Sequence, residues 1–176
     1  DPWGRLLKFY LLTGLRNTEP FKGGVDGDDF VIADTKNNTT HRLPLTGAMR
    51  DLYGNGFGVR NGRHVTEHLE ELTGLHLTPH DLRRSFAAIA NHAGVPDYTI
   101  SMLMNHKKTD ITGRYVGRNR NSMELALLTI EESISEMIEA PVEAVFEADD
   151  KSLEARLSRI REARDRARKR GAKEKL

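Results

Sequence analysis

The sequence contains no cysteine among its 176 residues. This absence excludes a disulfide framework, a thiolate nucleophile and a cysteine-ligated zinc site. There is also no apolar run near the ~20 residues needed to cross a bilayer. The opening residues lack the basic start and apolar stretch of a signal peptide. With 38% apolar and 30% charged residues, the chain is typical of a soluble globular domain, and it is compatible with a reducing, cytoplasmic setting.

Charge is unevenly distributed along the chain, although the net charge is only +1. Residues 1–121 carry 16 basic and 13 acidic residues, and residues 122–150 carry 9 acidic and no basic residues. Residues 151–176 carry 11 basic and 4 acidic residues. The basic tail is therefore either an appendage with its own partner, nucleic acid or the acidic stretch, or the solvated face of a helix.

The first half of the chain predicts a helix followed by a small antiparallel sheet. Apolar residues recur at spacings of three and four from Trp3 to Leu11, which indicates a helix with one buried face, and Gly14 suits its C-cap. Residues 23–28 are rich in Gly and Asp and predict a turn. Residues 30–32 and 41–45 flank a polar tip and predict a β-hairpin.

The second half predicts helices, so that the expected class is mainly α with a small antiparallel β-sheet (α+β). Thr78, Pro79 and Asp81 form a helix start whose helix runs to about His92. In this helix Leu82, Phe86 and Ile89 predict the buried side and leave Arg83 and Arg84 off it. Further helices are expected at 65–72, from Pro96 to about Asn105, around Tyr115 and over 122–139. The last of these would bury Leu125, Leu128, Ile134, Met137 and Ile138.

Each polar candidate has an ordinary structural explanation when it is taken alone. Tyr115 follows Ile111 by four residues, as a core tyrosine would, and Lys36 at a hairpin tip is simply solvated. Arg16 could pair with Glu19 three residues on. His106 could be a histidine at a helix end.

Read together and in order, these residues form five motifs. The motifs are Thr13-Gly14-Leu15-Arg16-Asn17-Thr18-Glu19, Thr35-Lys36, His80-Asp81-Leu82-Arg83, Asn105-His106 and Gly113-Arg114-Tyr115. Over roughly residues 3–120 this arrangement resembles the catalytic domain of the tyrosine recombinases, the phage integrase family.

The resemblance implies a role for each position. Tyr115 would be the nucleophile, Arg16 and Arg83 would bind the non-bridging oxygens of the scissile phosphate, and Lys36 would protonate the departing 5′ oxygen. His80 would assist proton transfer and His106 would hydrogen-bond the phosphate. Two further sets would support them: Glu19 would brace the site, and Arg84, Lys107 and Lys108 would contact DNA.

Elementary chemistry agrees with these implied roles. Arginine presents a planar fork of donors and stays protonated, which suits a phosphodiester that gains charge in the transition state. A tyrosine has a pKa near ~10, so ionising it at neutral pH takes roughly 4 kcal/mol. A cation ~4 Å away at an effective dielectric of 20 supplies about that much. The resemblance therefore implies a reaction that needs no metal, cofactor or ATP, because a phosphotyrosine conserves the energy of the broken bond.

The sequence departs from the family pattern in three places. Pro20 follows Glu19 where relatives continue a helix, and the segment to Phe30 looks short. Met104-Asn105 stands where relatives usually show leucine-glycine before the histidine. Relatives also carry a separate N-terminal DNA-clamping domain and a first catalytic helix. We expect both to be absent here, so that the chain binds DNA weakly.

The resemblance divides the chain into a catalytic core at 1–121, a helical segment at 122–150 and a basic tail at 151–176 that is helical or disordered. In relatives the segment after the tyrosine helix docks on a neighbouring subunit and builds a tetramer on the recombination site. Here that segment either does so, through Val142, Val145 and Phe146, or folds back on its own domain.

The expected function is site-specific recombination of double-stranded DNA by an integrase of a phage or other mobile element, in the cytoplasm. Three alternatives stay open: a recombinase that resolves chromosome dimers, a type IB topoisomerase-like enzyme, and a non-catalytic DNA-binding relative. A zinc site at His64 and His68 or at His76 and His80 is disfavoured. Zinc proteases with this spacing need glutamate after the first histidine, and Val65 and Leu77 stand there.

Overall fold

The described part of the chain folds into seven helices and one three-stranded sheet, which confirms the expected mainly α class with a small antiparallel sheet. The computed structural model describes residues 2–36, 38–59, 64–106 and 120–139. The helices are α1 (Pro2–Thr13), α2 (Glu19–Lys22), α3 (Gly47–Tyr53), α4 (Val65–Thr73), α5 (Pro79–His92), α6 (Asp97–Leu103) and α7 (Arg120–Glu139). The strands are β1 (Gly23–Asp26), β2 (Asp29–Ile32) and β3 (His41–Pro44).

Helix α1 lies at the centre of the fold. It packs against α3, α4, α5 and α7, and its residues Leu6, Phe9 and Tyr10 are fully buried. The predicted stripe is confirmed for Leu6 and Tyr10, whereas Trp3, Leu7 and Leu11 are only partly buried and Phe9 was not predicted. The helix ends at Gly14, whose φ of +61° is the left-handed conformation that glycine adopts without a steric penalty.

The sheet has the order β1-β2-β3 with antiparallel pairing throughout. The predicted hairpin is confirmed: Phe30 lies opposite Leu43, and Ile32 lies opposite His41. The prediction of a turn over residues 23–28 was wrong for Gly23–Asp26, which forms an edge strand that pairs with β2, and it is confirmed for residues 27 and 28, which connect the two strands. A strand that contains glycine is hard to recognise in a sequence, because glycine has no side chain that could alternate between the two faces of the sheet.

Helix α5 begins with the predicted cap but buries a different face. The Thr78 side chain accepts from the Asp81 backbone, and the Asp81 carboxylate accepts from the Thr78 backbone. The buried residues of the helix are Pro79, Arg83, Phe86 and Ala90. The expectation that Arg83 lies off the buried side was therefore wrong, because the buried stripe runs through Arg83, and Leu82 and Ile89 flank it.

Helix α7 also buries a stripe that its sequence did not predict. Its buried residues are Met123, Ala126, Leu127, Ile130 and Ile134. Of the predicted set, Ile134 is buried, whereas Leu125, Leu128 and Ile138 are 66%, 48% and 62% exposed. The prediction for these three residues was wrong. The helix has apolar residues on two sides, and periodicity alone does not say which side meets the core.

The remaining elements follow local signals. Helix α4 covers the stretch predicted at 65–72, and α6 begins directly after Pro96 as expected. Helix α3 was not predicted, although Thr46 caps it by accepting from the Met49 backbone. No helix among the described residues is long and apolar enough to cross a membrane. The predictions for the tyrosine helix, for Val142, Val145 and Phe146, and for the basic tail lie outside the described residues.

Candidate active site

The loop after α1 is held close to α5 by glycine. A Cβ atom on Gly14 would lie 2.4 Å from Cδ1 of Phe86, so any other residue would force the Phe86 ring to shift. The hydroxyl of Tyr10 donates to the carbonyl of Asn17 at 2.5 Å and closes the loop. Burial raises the pKa of Tyr10 above its usual value, so this hydroxyl keeps its proton and remains a donor. Arg16 is thereby placed beside α5.

Glu19 fixes the Arg16 side chain. One carboxylate oxygen accepts from the Arg16 backbone N–H at 2.7 Å, and the other accepts from Nη1 at 2.8 Å. Glu19 is only 2% exposed, so this is a shielded, charge-assisted pair. The pairing predicted for these residues is present. Pro20 does not disturb it, because it lies in the first turn of α2, where its missing N–H costs no helical hydrogen bond.

Arg83 lies beneath this loop and is 5% exposed. Its Nη1 donates to the carbonyl of Gly14, and its Nη2 donates to the carbonyl of Met104 at 2.6 Å. These two bonds join the loop after α1 to the end of α6, which are far apart in the sequence. Arg83 therefore supplies a positive charge one layer below the surface and also stabilises the fold.

Helix α6 ends in a Schellman motif that presents His106. The backbone N–H of His106 donates to Ser101, and that of Asn105 donates to Met102. Asn105 occupies the left-handed position of the motif with φ of +49°. Asparagine tolerates this conformation better than other non-glycine residues. The departure from leucine-glycine is thus accommodated without disturbing the turn.

Three consecutive carbonyls at the end of α6 accept hydrogen bonds from basic side chains. Leu103 accepts from Nε2 of His41 at 2.9 Å, which means that Nε2 carries the hydrogen. Met104 accepts from Arg83, and Asn105 accepts from Nη2 of Arg16 at 3.2 Å. Carbonyls at a helix end lack partners within the helix, and cations suit this end of the helix dipole. The two arginines therefore meet at one turn, next to His106.

A cleft of ≈ 390 Å³ lies between the loop after α1 and the lysine hairpin, which is the loop from residue 33 to residue 40 between β2 and β3 that carries Lys36. Arg16, Glu19, Lys22, Asp34, Thr35 and Lys36 are among its lining residues. Lys36 is exposed, and Lys22 pairs with Asp34 at 3.4 Å. Arg16 and Lys36, the predicted general acid, therefore face one cleft that is large enough for a phosphate group.

The other predicted residues stand in different positions. His80 is exposed in the first turn of α5, one turn before Arg83, and no hydrogen bond in the described ranges links it to Arg16, Lys36 or His106. Arg84 is exposed. Tyr115, Lys107 and Lys108 lie outside the described residues.

Arg83 and His106, two basic groups at the end of α6, both have lowered pKa values. Burial and the neighbouring Arg16 lower the pKa of Arg83 to about 10, although Glu19 acts in the opposite direction. Arg83 therefore stays protonated at neutral pH. Partial burial, followed by the charges of Arg83 and Arg16, lowers the pKa of His106 below its usual 6.5. His106 is consequently a neutral hydrogen-bonding group at neutral pH.

We expect His106 to titrate below pH 6.5, and to titrate closer to that value in Arg16→Met, which removes one nearby charge. Because the folded-state pKa is lowered, the stability linked to His106 is present above pH 6.5 and is lost as the pH falls through the folded-state value. The measurement is an NMR titration with His106→Gln for assignment. Arg50→Met is the matched control, since Arg50 pairs with Asp28 instead. An unchanged His106 pKa in Arg16→Met would contradict the electrostatic coupling.

Two of the four histidines weighed as metal ligands have carboxylate partners. Nδ1 of His64 lies 2.5 Å from Glu67, and Nδ1 of His76 lies 3.0 Å from Glu70. Within the described ranges, no group of three or more His, Asp or Glu side chains could hold a metal ion.

Sequence reasoning missed the residues that hold the pocket together. His41 and Thr35 were read only as hairpin residues, and Asn105 only as a departure from the family pattern. For Asn105 there was a usable signal, because asparagine is a common substitute for glycine where φ is positive. The hydrogen bonds of His41 and Thr35 depend on contacts between distant segments, which a single sequence does not show.

Arg16 and Arg83 meet at the turn that presents His106, and Arg16 and Lys36 line one cleft beside it. This arrangement of cations suits a phosphate, and comparison with known families agrees with it. Residues 57–122 match the phage integrase family, which confirms the resemblance over somewhat more than a third of the chain. The match includes His80, Arg83, His106 and Tyr115, whereas Arg16 and Lys36 precede it. No curated protein and no solved structure matched the chain.

Proposed function

We propose that this chain is the catalytic domain of a tyrosine recombinase that cuts and rejoins double-stranded DNA, an integrase of a phage or other mobile element. One observation carries the proposal: Arg16 and Arg83 bind adjacent carbonyls of the turn that presents His106. The match to the phage integrase family over residues 57–122 supports DNA recombination of this general type.

In the proposed reaction, the Tyr115 oxygen attacks the scissile phosphorus. The new bond joins phosphorus to the phenol oxygen, the bond from phosphorus to the 5′ oxygen breaks, and the DNA keeps a 3′-phosphotyrosine. Lys36 gives its proton to the departing 5′ oxygen, and the phenol proton passes to His80. The reverse sequence, with a 5′ hydroxyl as the attacking group, rejoins the strand.

The arginine pocket suits the phosphorane-like transition state. Each guanidinium has five N–H donors, and the bonds described above use two on each, which leaves donors for an anion. Arg16 would bind the phosphate directly from the cleft wall. Arg83 would add its charge from the protein interior beneath the loop that carries Arg16, where exclusion of water strengthens its attraction to the phosphate.

The proposal extends to the whole chain. Residues 1–121 would form the catalytic core, and residues 122–150 would contact a neighbouring subunit in a tetramer on DNA, in the cytoplasm of the host cell. The exposed Leu125 and Leu128 of α7 supply apolar surface for such a contact. Analytical ultracentrifugation with and without DNA would test this assembly, and a monomer on saturated DNA would contradict it.

The test of the function is covalent capture on DNA. The substrate is a duplex library with randomised flanks and one nick, placed so that the short strand released by cleavage diffuses away and rejoining is prevented. We expect a protein–DNA adduct that survives denaturation, and mass spectrometry should map the modified peptide to Tyr115. Excess chelator and the absence of ATP should not reduce the yield. An adduct at another residue, or no adduct at any sequence, would overturn the proposal.

A second arm separates the proposed function from its closest alternatives. A recombinase should capture a narrow set of sequences from the library, whereas a type IB topoisomerase-like enzyme should relax plain supercoiled plasmid with little sequence preference. A non-catalytic relative would bind DNA without forming an adduct. Relaxation of any plasmid at the rate of the selected site would favour the topoisomerase reading.

Arg84 gives a prediction about DNA binding rather than chemistry. Arg84 is exposed next to the buried Arg83, so it can reach a backbone phosphate without supporting the fold. We expect Arg84→Ala to weaken binding about equally for all sequences and to reduce the salt-dependence slope by about 1. The adduct yield at saturating DNA should not change. Fluorescence anisotropy at several salt concentrations measures the slope, Arg50→Ala is the control, and an unchanged slope would remove Arg84 from the interface.

A further inference from the structure

Asn105 connects three parts of the candidate site at once. Its carbonyl accepts from Nη2 of Arg16 at 3.2 Å, and its side-chain Nδ2 donates to Oγ1 of Thr35 at 3.1 Å. The next residue along the chain is His106. Asn105 therefore joins the loop after α1, the hairpin between β2 and β3, and the end of α6.

The Thr35 hydroxyl is the acceptor in the hairpin and is itself firmly held. Thr35 is 2% exposed, and its Oγ1 donates to the carbonyl of Thr39 at 2.8 Å while it accepts from Asn105. The two bonds use the hydroxyl once as donor and once as acceptor, so they form a continuous chain. This chain fixes the residue directly before Lys36 against the turn of α6.

Lys36 needs such an attachment, because it lies between two strands on a polar loop. Its side chain is exposed and reaches the cleft only as part of that loop. Loops lack the regular backbone hydrogen bonds that hold helices and strands in place. A general acid works only within hydrogen-bonding reach of the atom that it protonates.

We propose that Asn105 is a positioning residue that holds the lysine hairpin against the His106 turn, so that Lys36 reaches the departing 5′ oxygen. This assignment rests on the proposed function. In this role Asn105 acts through Lys36 rather than on the reacting atoms. Asn105 stands where relatives usually show a glycine before the histidine. A glycine would suit the turn, but it has no side chain that could reach the hairpin.

The natural probe is therefore Asn105→Gly. Glycine adopts a positive φ at no steric cost, so the turn and its carbonyl contacts persist while the bond to Thr35 is lost. Thr35→Val removes the same bond from the other side, together with the bond to the Thr39 carbonyl, and Thr35→Ser keeps both. These three variants separate the hydrogen bond from the fold.

The decisive readout is the dependence of single-turnover cleavage on the leaving group. A substrate with sulfur in place of the bridging 5′ oxygen releases a thiolate, which leaves without a general acid because thiols are far more acidic than alcohols. On the oxygen substrate we expect Asn105→Gly and Thr35→Val to be slower by roughly ten- to hundredfold. On the sulfur substrate both should match the unmodified chain, and so should Lys36→Ala. The double variant Asn105→Gly with Lys36→Ala should be no slower on oxygen than Lys36→Ala alone.

A second readout does not depend on activity. Amide hydrogen exchange over residues 33–40 should be faster in Asn105→Gly and in Thr35→Val than in the unmodified chain and in Thr35→Ser. Exchange in α1 and α5 should stay the same. Unchanged exchange in the hairpin would overturn the attachment itself.

The outcomes separate this role from the proposed function. A normal Tyr115 adduct with equal losses on the oxygen and sulfur substrates would overturn the role of Asn105 and leave the function standing. A chain that forms no adduct, although its hairpin loosens in Asn105→Gly, would overturn the function and with it the role assigned here.

Discussion

Tyr115→Phe should abolish the covalent protein–DNA adduct. The substitution removes one oxygen atom, which is the atom that the proposed reaction transfers to phosphorus, and it keeps the ring. The residual yield should be zero rather than reduced, because the proposed chemistry has no second route to a phosphotyrosine. DNA affinity should stay within a factor of about two, since electrostatic contacts to the backbone dominate binding.

Denaturing electrophoresis after incubation with the selected nicked duplex measures the adduct. Tyr53→Phe is the matched control, because Tyr53 lies in an aromatic cluster with Phe9, Phe30 and Phe57, and its hydroxyl makes only a long 3.3 Å bond to Gly23. This control should leave the yield unchanged. An adduct that persists in Tyr115→Phe would identify a different nucleophile.

Arg83→Ala should lose both activity and stability. Loss of one preorganised donor to an oxyanion costs roughly 10²- to 10³-fold in other enzymes. The substitution also leaves the carbonyls of Gly14 and Met104 without their donor, at about 1–3 kcal/mol for each buried group. The sequence predicted Arg83 off the buried side of its helix, where its loss would cost little stability, but an arginine that joins two distant segments cannot be removed without cost.

Two measurements separate these effects. Thermal unfolding should show a melting temperature lower by several degrees, since about 1 kcal/mol corresponds to roughly 2–4 °C in a chain of this size. Single-turnover cleavage should then be compared well below that temperature, where the variant is still folded. Arg84→Ala should melt like the unmodified chain, because Arg84 is exposed. Full-rate cleavage by folded Arg83→Ala would contradict the role of the arginine.

Elements with strong local signals could be predicted from the sequence. Helix α1 has a continuous apolar stripe and a glycine stop, and α5 has a complete capping box. The β2–β3 hairpin has two apolar strands around a polar tip. In each case the residues that determine the structure are neighbours in the chain, so the pattern is visible without knowledge of the fold.

Features that depend on tertiary contacts could not be predicted. Half of strand β1 is Gly23 and Gly24, which have little strand propensity and are paired by β2. The exposed Leu125 and the buried Met123 are equally apolar, and only packing distinguishes them. Within the site, the pairing of Arg16 with Glu19 could be predicted, because the two residues are three positions apart on the chain. The burial of Arg83 was not, because its partners are 69 and 21 residues away.

The last turn of α6 connects the unfolding of this helix to the loss of the candidate site. The final turn of a short helix frays readily. Here side chains from β3, from α5 and from the loop after α1 each donate a hydrogen bond to one of its carbonyls. If that turn unwound, His41, Arg83 and Arg16 would all lose an acceptor in the same event. The three contacts should therefore be lost together, so that on mild heating the arrangement of these side chains disappears in one cooperative step.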